Sequence, residues 1–197
     1  MVRIKDESLH AQRHHEILEA AARVFKAKGF HLARTEDICV EAQISPGTLF
    51  RHFPDKRAMI MAIANIEFEN YKAELDKLAT REGIRWLSQI TARDLAGLLK
   101  PKGFELSADS WLELARDEEG RARLAGVDKR LREGFAKELR RGQAEGWIRK
   151  SLDCQGAATL VLALFSGLMI DAEIGIVIDT KATARAMADL FSGLLPS

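Results

Sequence analysis

Residues 45–56 read SPGTLFRHFPDK, a helix start and a helix stop only eight residues apart. Ser45 has a hydroxyl suited to capping a helix N-terminus, and Pro46 takes the first helical position, where its missing N–H is no loss. Ile44, just before the cap, is spaced to pack on Leu49 as a hydrophobic staple. Pro54 and Asp55 end this helix after about eight residues and open the next. Upstream, Arg34-Thr35-Glu36-Asp37 sets a hydroxyl beside a second cap and two carboxylates in a first turn, where the helix dipole favours them. Ile38 and Ala42 supply that helix with an apolar edge, and Gln43-Ile44 leads tightly into Ser45. Two short helices across such a turn make a helix-turn-helix, whose second helix fits a DNA major groove about 12 Å wide.

The side chains of that second helix match the task. Gly47 and Thr48 are small enough to let backbone approach base edges, and Arg51 carries the planar fork that pairs with guanine. Thr48 offers a hydroxyl and a methyl, and the helix N-terminus with the Ser45 hydroxyl suits a phosphate. Leu49 and Phe53, four apart, point to anchorage on the preceding helix. For Arg51 and Thr48, base reading and simple solvation stand as equal alternatives.

Elsewhere apolar residues recur with the period of an α-helix. Ile17, Ala21, Val24 and Phe25 predict a helix over 13–28, stopped by Lys26, Lys28 and Gly29. Ile60, Ile63, Tyr71, Leu75 and Leu78 carry the helix after Pro54 to 79. Further helices fit 84–99, 105–117, 126–144, 154–177 and 181–195. With only four prolines, this predicts an all-α protein of about nine helices.

Bulk composition excludes little. The 197 residues carry a net charge of +1, with 47% hydrophobic and 30% charged residues, as in a soluble chain of one or two domains. Residues 1–57 hold ten Lys/Arg against eight Asp/Glu and all five histidines, a slight basic bias. Cys39 and Cys154 read as unpaired core thiols, no apolar export segment follows Met1, and the run 156–170 closes on Asp171 too early for a membrane span. A cytoplasmic protein is expected.

The pieces ILEAAARVFKAKGF (17–30), TEDICVEAQIS (35–45) and PGTLFRHFPDKRAMIMAI (46–63) resemble, in order and spacing, the N-terminal domain of the tetracycline-repressor (TetR) family of transcriptional regulators. RRGQAEGWIRKSLD (140–153), followed by an apolar helix, is similar to a late segment of that family. The resemblance implies a helix-turn-helix DNA-binding domain over 1–57, with a flexible arm over 1–12, and a helical ligand-binding and dimerisation domain over 58–197. It also implies that Thr35, Ser45, Pro46, Gly47, Thr48, Phe50, Arg51, His52 and Lys56 touch DNA, with Lys56 on a phosphate and His52 on a phosphate or groove edge. Two residues depart from the family pattern. Phe50 replaces a usual Tyr, losing a phenol that could bond phosphate, and Gln43 stands where Gly is common, at a left-handed position costing about 1 kcal/mol.

What the resemblance implies is a repressor that binds a palindromic double-stranded operator as a homodimer and is released by a small molecule. The apolar lining suggests a hydrophobic or amphipathic effector, with Trp86, Trp111 and Phe104 as candidate contacts; for the tryptophans, a place in the helical core competes with that role. The last two helices show more apolar face than one chain covers, so Ala158, Val161, Phe165, Leu168 and Met169, with Ala184, Met187, Leu190, Phe191 and Leu194, are the expected dimer contacts. His10, His14 and His15 lack companions for a metal site; with Arg3, Lys5 and Arg13 they fit an arm lying along a minor groove or left disordered. No metal, cofactor or membrane is expected, and the sequence lacks the phosphate loop or nucleophile motif of an enzyme. The rival readings are an enzyme or a dimeric interaction module without DNA binding.

Overall fold

The computed structural model describes residues 2–100, 106, 108–116 and 118–196. Among these, ten helices occur in the order α1 (Val2–Leu32), α2 (Thr35–Glu41), α3 (Pro46–His52), α4 (Lys56–Leu78), α5 (Arg81–Leu87), α6 (Ala92–Leu98), α7 (Ala108–Leu114), α8 (Glu118–Glu145), α9 (Cys154–Glu173) and α10 (Thr180–Ser192). The fold is all-α, as expected.

Three boundaries differ from expectation, each for a local reason. The arm predicted over 1–12 is helical from Val2: neither Gly nor Pro occurs before Gly29, and Glu16 accepts from Gln12 at 3.0 Å and pairs with Arg13 at 2.8 Å. The helix breaks where the sequence placed its stop, at Gly29 (φ 74°, ψ 156°). The helix predicted over 84–99 is two helices, because Thr91 and Asp94 form a capping box that opens α6: Asp94 N–H donates to Thr91 Oγ1 at 3.3 Å and Thr91 N–H to Asp94 Oδ2 at 3.0 Å. α8 starts at Glu118 rather than 126, with Glu118 and Glu119 in the dipole-favoured first turn.

The chain forms two compact units, one of residues 1–68 with 101–121 and the other of 69–100 with 122–197. The division expected at 57/58 falls inside the first, because Met59, Ile60, Ile63 and Ala64 of α4 are buried with Ile17, Leu18, Phe25, Ile38 and Leu49 as its core residues. α7 belongs here too, packing on α1.

In the second unit α10 lies on α5 and α6, and Phe165 of α9 meets Phe191 of α10 with ring centres 6.5 Å apart. The stretch 140–153 is a tight helix exit. Trp147 and Ile148 fold back on Gly142, where a Cβ would stand 2.7 Å from Ile148 and 2.8 Å from the Trp147 ring. Trp147 is therefore a core residue, its indole N–H donating to Glu145 at 2.9 Å.

The expected dimer contacts divide by burial within the single chain. Ala158, Val161, Phe165, Ala184, Met187 and Phe191 lie in their own protomer's core, none more than 8% exposed. Leu168, Met169 and Leu194 are half-buried, and Leu190 is 62% exposed. The bare apolar surface is another stripe, with Leu160 (73%), Ile170 and Ile174 on and after α9 and Val177 (95%) beyond it. α9 is apolar nearly all round, so periodicity could not say which side faces inward. At 20 residues it is also long and apolar enough to cross a bilayer by length and composition; here one side of it is a wall of the unit's core.

Candidate nucleic-acid interface

α3 is held from one side and bare on the other. Leu49 and Phe53 are buried, and Phe53 rests against the His14 ring of α1 at 4.4 Å. Its start is set as the sequence predicts: Thr48 N–H donates to Ser45 Oγ at 3.2 Å, and the Ser45 and Thr48 hydroxyls share a hydrogen bond of 3.0 Å. Gln43 supplies the turn at φ 53°, the left-handed conformation anticipated for it.

Two ion pairs lock α2 to α1, Lys28 to Asp37 at 2.7 Å and Arg23 to Glu41 at 2.6 Å. The Lys28 hydrogen bond, followed by the Arg34 backbone N–H, holds the Asp37 carboxyl below its ordinary range. α3 therefore rides on a platform made by α1 and α2.

On the bare side stand Ser45, Pro46, Gly47, Phe50 and Arg51, all exposed, with Thr48 and His52 half-buried at the edges and Thr35 half-buried at the start of α2. Arg51 has no ion pair among the described residues, so its guanidinium is free for a ligand. A Cβ on Gly47 would meet only the Ser45 hydroxyl, at 3.9 Å. Nothing inside the protein requires glycine there; the space it leaves lies on the outer surface.

Lys56 behaves otherwise. Its ammonium donates to the carbonyls of Phe30 and Ala33, each at 2.8 Å, and sits 4.7 Å over the Phe30 ring. Two of its three N–H groups thus clamp the turn between α1 and α2. The sequence reading missed this role, and also missed His10 and His14, whose rings lie on His52 and Phe53. The signal was present in their four-residue spacing, which puts both on one face of α1.

The candidate effector residues fall in different parts of the chain. Trp111, in the first unit, packs on Phe68 at 5.1 Å; Trp86, in the second, is 38% exposed on α5; Phe104 lies outside the described residues. Cys39 and Cys154 are both free and buried, and burial raises both thiols, so neither is poised as a thiolate.

Known proteins resemble this chain over most of its length. Residues 17–63 match the family model described as bacterial regulatory proteins, tetR family, and residues 85–195 match that of the C-terminal domain of BetI-type transcriptional repressors. The HTH-type transcriptional regulator UidR of Escherichia coli K12 is 28% identical over 180 residues, covering 91% of each chain. The HTH-type regulator YfiR of Bacillus subtilis is 29% identical over 168 residues, 82% of this chain and 80% of its own. Among solved structures, GusR of Salmonella enterica superposes with a TM-score of 0.65 at 23% identity, covering 93% of this chain and 95% of its own. Bacillus subtilis FadR, in complex with stearoyl-CoA, does so with a TM-score of 0.67 at 18% identity, over 91% and 98%.

Proposed function

We propose that this chain, which belongs to the TetR family of DNA-binding transcriptional regulators, is a repressor that binds a palindromic operator as a homodimer and leaves it when a small molecule occupies the second unit. The observation that carries the DNA reading is Gly47: it sits on the exposed side of a rigidly capped α3, beside an unpaired Arg51, and no internal contact needs its missing side chain. A groove wall or phosphate approaching α3 does need that space. Thr48, Phe50 and Arg51 then face bases, Phe50 as an apolar contact, while Thr35, Ser45, Pro46 and His52 lie along the backbone. Lys56 places its remaining N–H on a phosphate while its other two hold the platform together.

Two copies joined through the bare stripe of Leu160, Ile170, Ile174 and Val177, with Leu190 and the half-buried Leu168, Met169 and Leu194, would set two reading helices about 34–36 Å apart, one turn of DNA. The 1–57 and 58–197 division then describes two tasks, reading and response, even though the compact units share α4 and α8. For the effector, a hydrophobic or amphipathic molecule is supported by the apolar second unit and by the acyl-CoA bound to the FadR fold neighbour. A molecule that weakens operator binding 100-fold must bind the two states with affinities differing by about 2.7 kcal/mol. A regulator of this kind works in the cytoplasm, where the chromosome is.

The test is a gel shift on the sequence upstream of the gene at low salt, repeated with fractionated cell metabolites. Retardation that one fraction reverses is the expected result. Absence of retardation would favour an interaction module, and retardation strengthened by the active fraction would replace repression relieved by ligand with ligand-dependent binding.

A further inference from the structure

The end of the reading helix is braced by the N-terminal half of α1. The His10 ring stacks on the His52 ring with centres 4.4 Å apart and planes 29° from parallel. His14, one turn further along α1, lies 6.1 Å from His52 and 4.4 Å from Phe53. His52 Nδ1 is fully buried with no hydrogen-bond partner.

A neutral imidazole has one N–H to place. On Nδ1 it would be a buried, orphaned donor, which is costlier than a buried, orphaned lone pair. The proton therefore belongs on Nε2. A second proton is opposed by burial first and then by His10, His14, Arg51 and Arg13 around the ring, and these lower the His52 pKa. Among the described side chains no neighbouring carboxylate offsets them. Glu16 is held by Arg13 and Gln12, Glu19 faces His15 at 3.4 Å, and Asp55 accepts from the Ala58 N–H at 2.7 Å.

We infer that His10 and His14 are positioning residues of DNA recognition: they fix the last turn of α3 and hold His52 as a neutral Nε2–H donor aimed at a DNA phosphate. The phosphate half rests on the DNA reading proposed above; the locked tautomer does not. An ordinary surface histidine takes up a proton when a phosphate approaches, making binding pH-dependent near neutrality. Braced in this way, His52 stays a neutral donor to lower pH than an ordinary histidine does.

The test uses the full chain, as wild type, as His10→Ala with His14→Ala, and as His10→Phe, which keeps a stacking ring. Nitrogen-15 spectra of labelled histidine without DNA are expected to show one Nε2–H tautomer for His52 in wild type and His10→Phe, and a mixture in the double alanine variant. On a duplex carrying the upstream sequence, fluorescence anisotropy is expected to show the double variant weakened about three- to tenfold, with His10→Phe near wild type. Between pH 8 and His52's unperturbed 6.5, wild-type affinity stays flat while the double variant tightens as pH falls, since its His52 is released toward that ordinary value. The same tautomer and affinity in wild type and double variant would overturn the inference. A locked tautomer in a protein that binds no duplex would remove the phosphate role along with the DNA reading.

Discussion

α3 and α9 both present bare surface, but of opposite kinds. α3 buries Leu49, with Phe53 at its C-cap, and leaves mostly small and polar groups outside, so its inner and outer faces differ in chemistry. α9 has Leu, Val, Ala or Phe on nearly every side, so its faces differ only in what happens to pack on them. A polar face tells a reader what it meets, whereas an apolar one says only that it is covered, by its own chain or by another.

This contrast can be broken by experiment. Phe165→Ala is expected to have the largest effect, costing about 3–5 kcal/mol because a buried ring beside Phe191 is lost, and thermal unfolding measures it. A small change in stability with loss of the dimer would return Phe165 to the interface. Leu160→Asp combined with Leu190→Asp should leave the helical circular dichroism intact but yield monomers in sedimentation. With the paired contact gone, operator affinity should fall about 100-fold or more. A persisting dimer would mean that the bare stripe is not the joint.

Smaller effects sharpen the picture of α3. Arg51→Ala is expected to cost about 1–3 kcal/mol on the cognate duplex and relax base preference, read by competition with random DNA. Equal weakening on both DNAs would make Arg51 a backbone contact. Gly47→Ala should separate stability from function: about 0.5–1 kcal/mol more stable, since alanine favours helix and no atom lies closer than 3.9 Å to the new methyl, yet weaker on DNA. A variant both more stable and equally tight would show that nothing approaches that face closely. The smallest effect concerns Asp37, whose folded pKa lies below its ordinary 3.8. Its bond to Lys28 stabilises the platform above that value and is lost as pH falls through the lower folded one. Asp37→Asn should flatten this part of the acid-unfolding curve.

The first unit was largely legible because short-range rules decide it. Ser45 and Pro46 start α3, Gly29 breaks α1 and Gln43 makes the turn through interactions spanning four residues or fewer. The same rules were available at Thr91 and Asp94, and a reading led by apolar period passed over them. The helical course of residues 2–12 escaped because no stop signal marks an arm, and a run of adequate helix formers simply continues.

Other features depend on partners distant in the chain. That Lys56 turns back on Phe30 and Ala33, that His10 finds His52, and that Trp111 joins Phe68 follow from contacts between residues 23 to 43 positions apart. By itself the sequence determined the all-helical class, the caps and turn of the reading head and the small groups on its outer face, because each is a property of adjacent residues. Only the tertiary structure decided which stripe of α9 is core and where a lysine or histidine spends its hydrogen bonds, because an apolar or a cationic side chain will accept several partners and proximity alone selects among them.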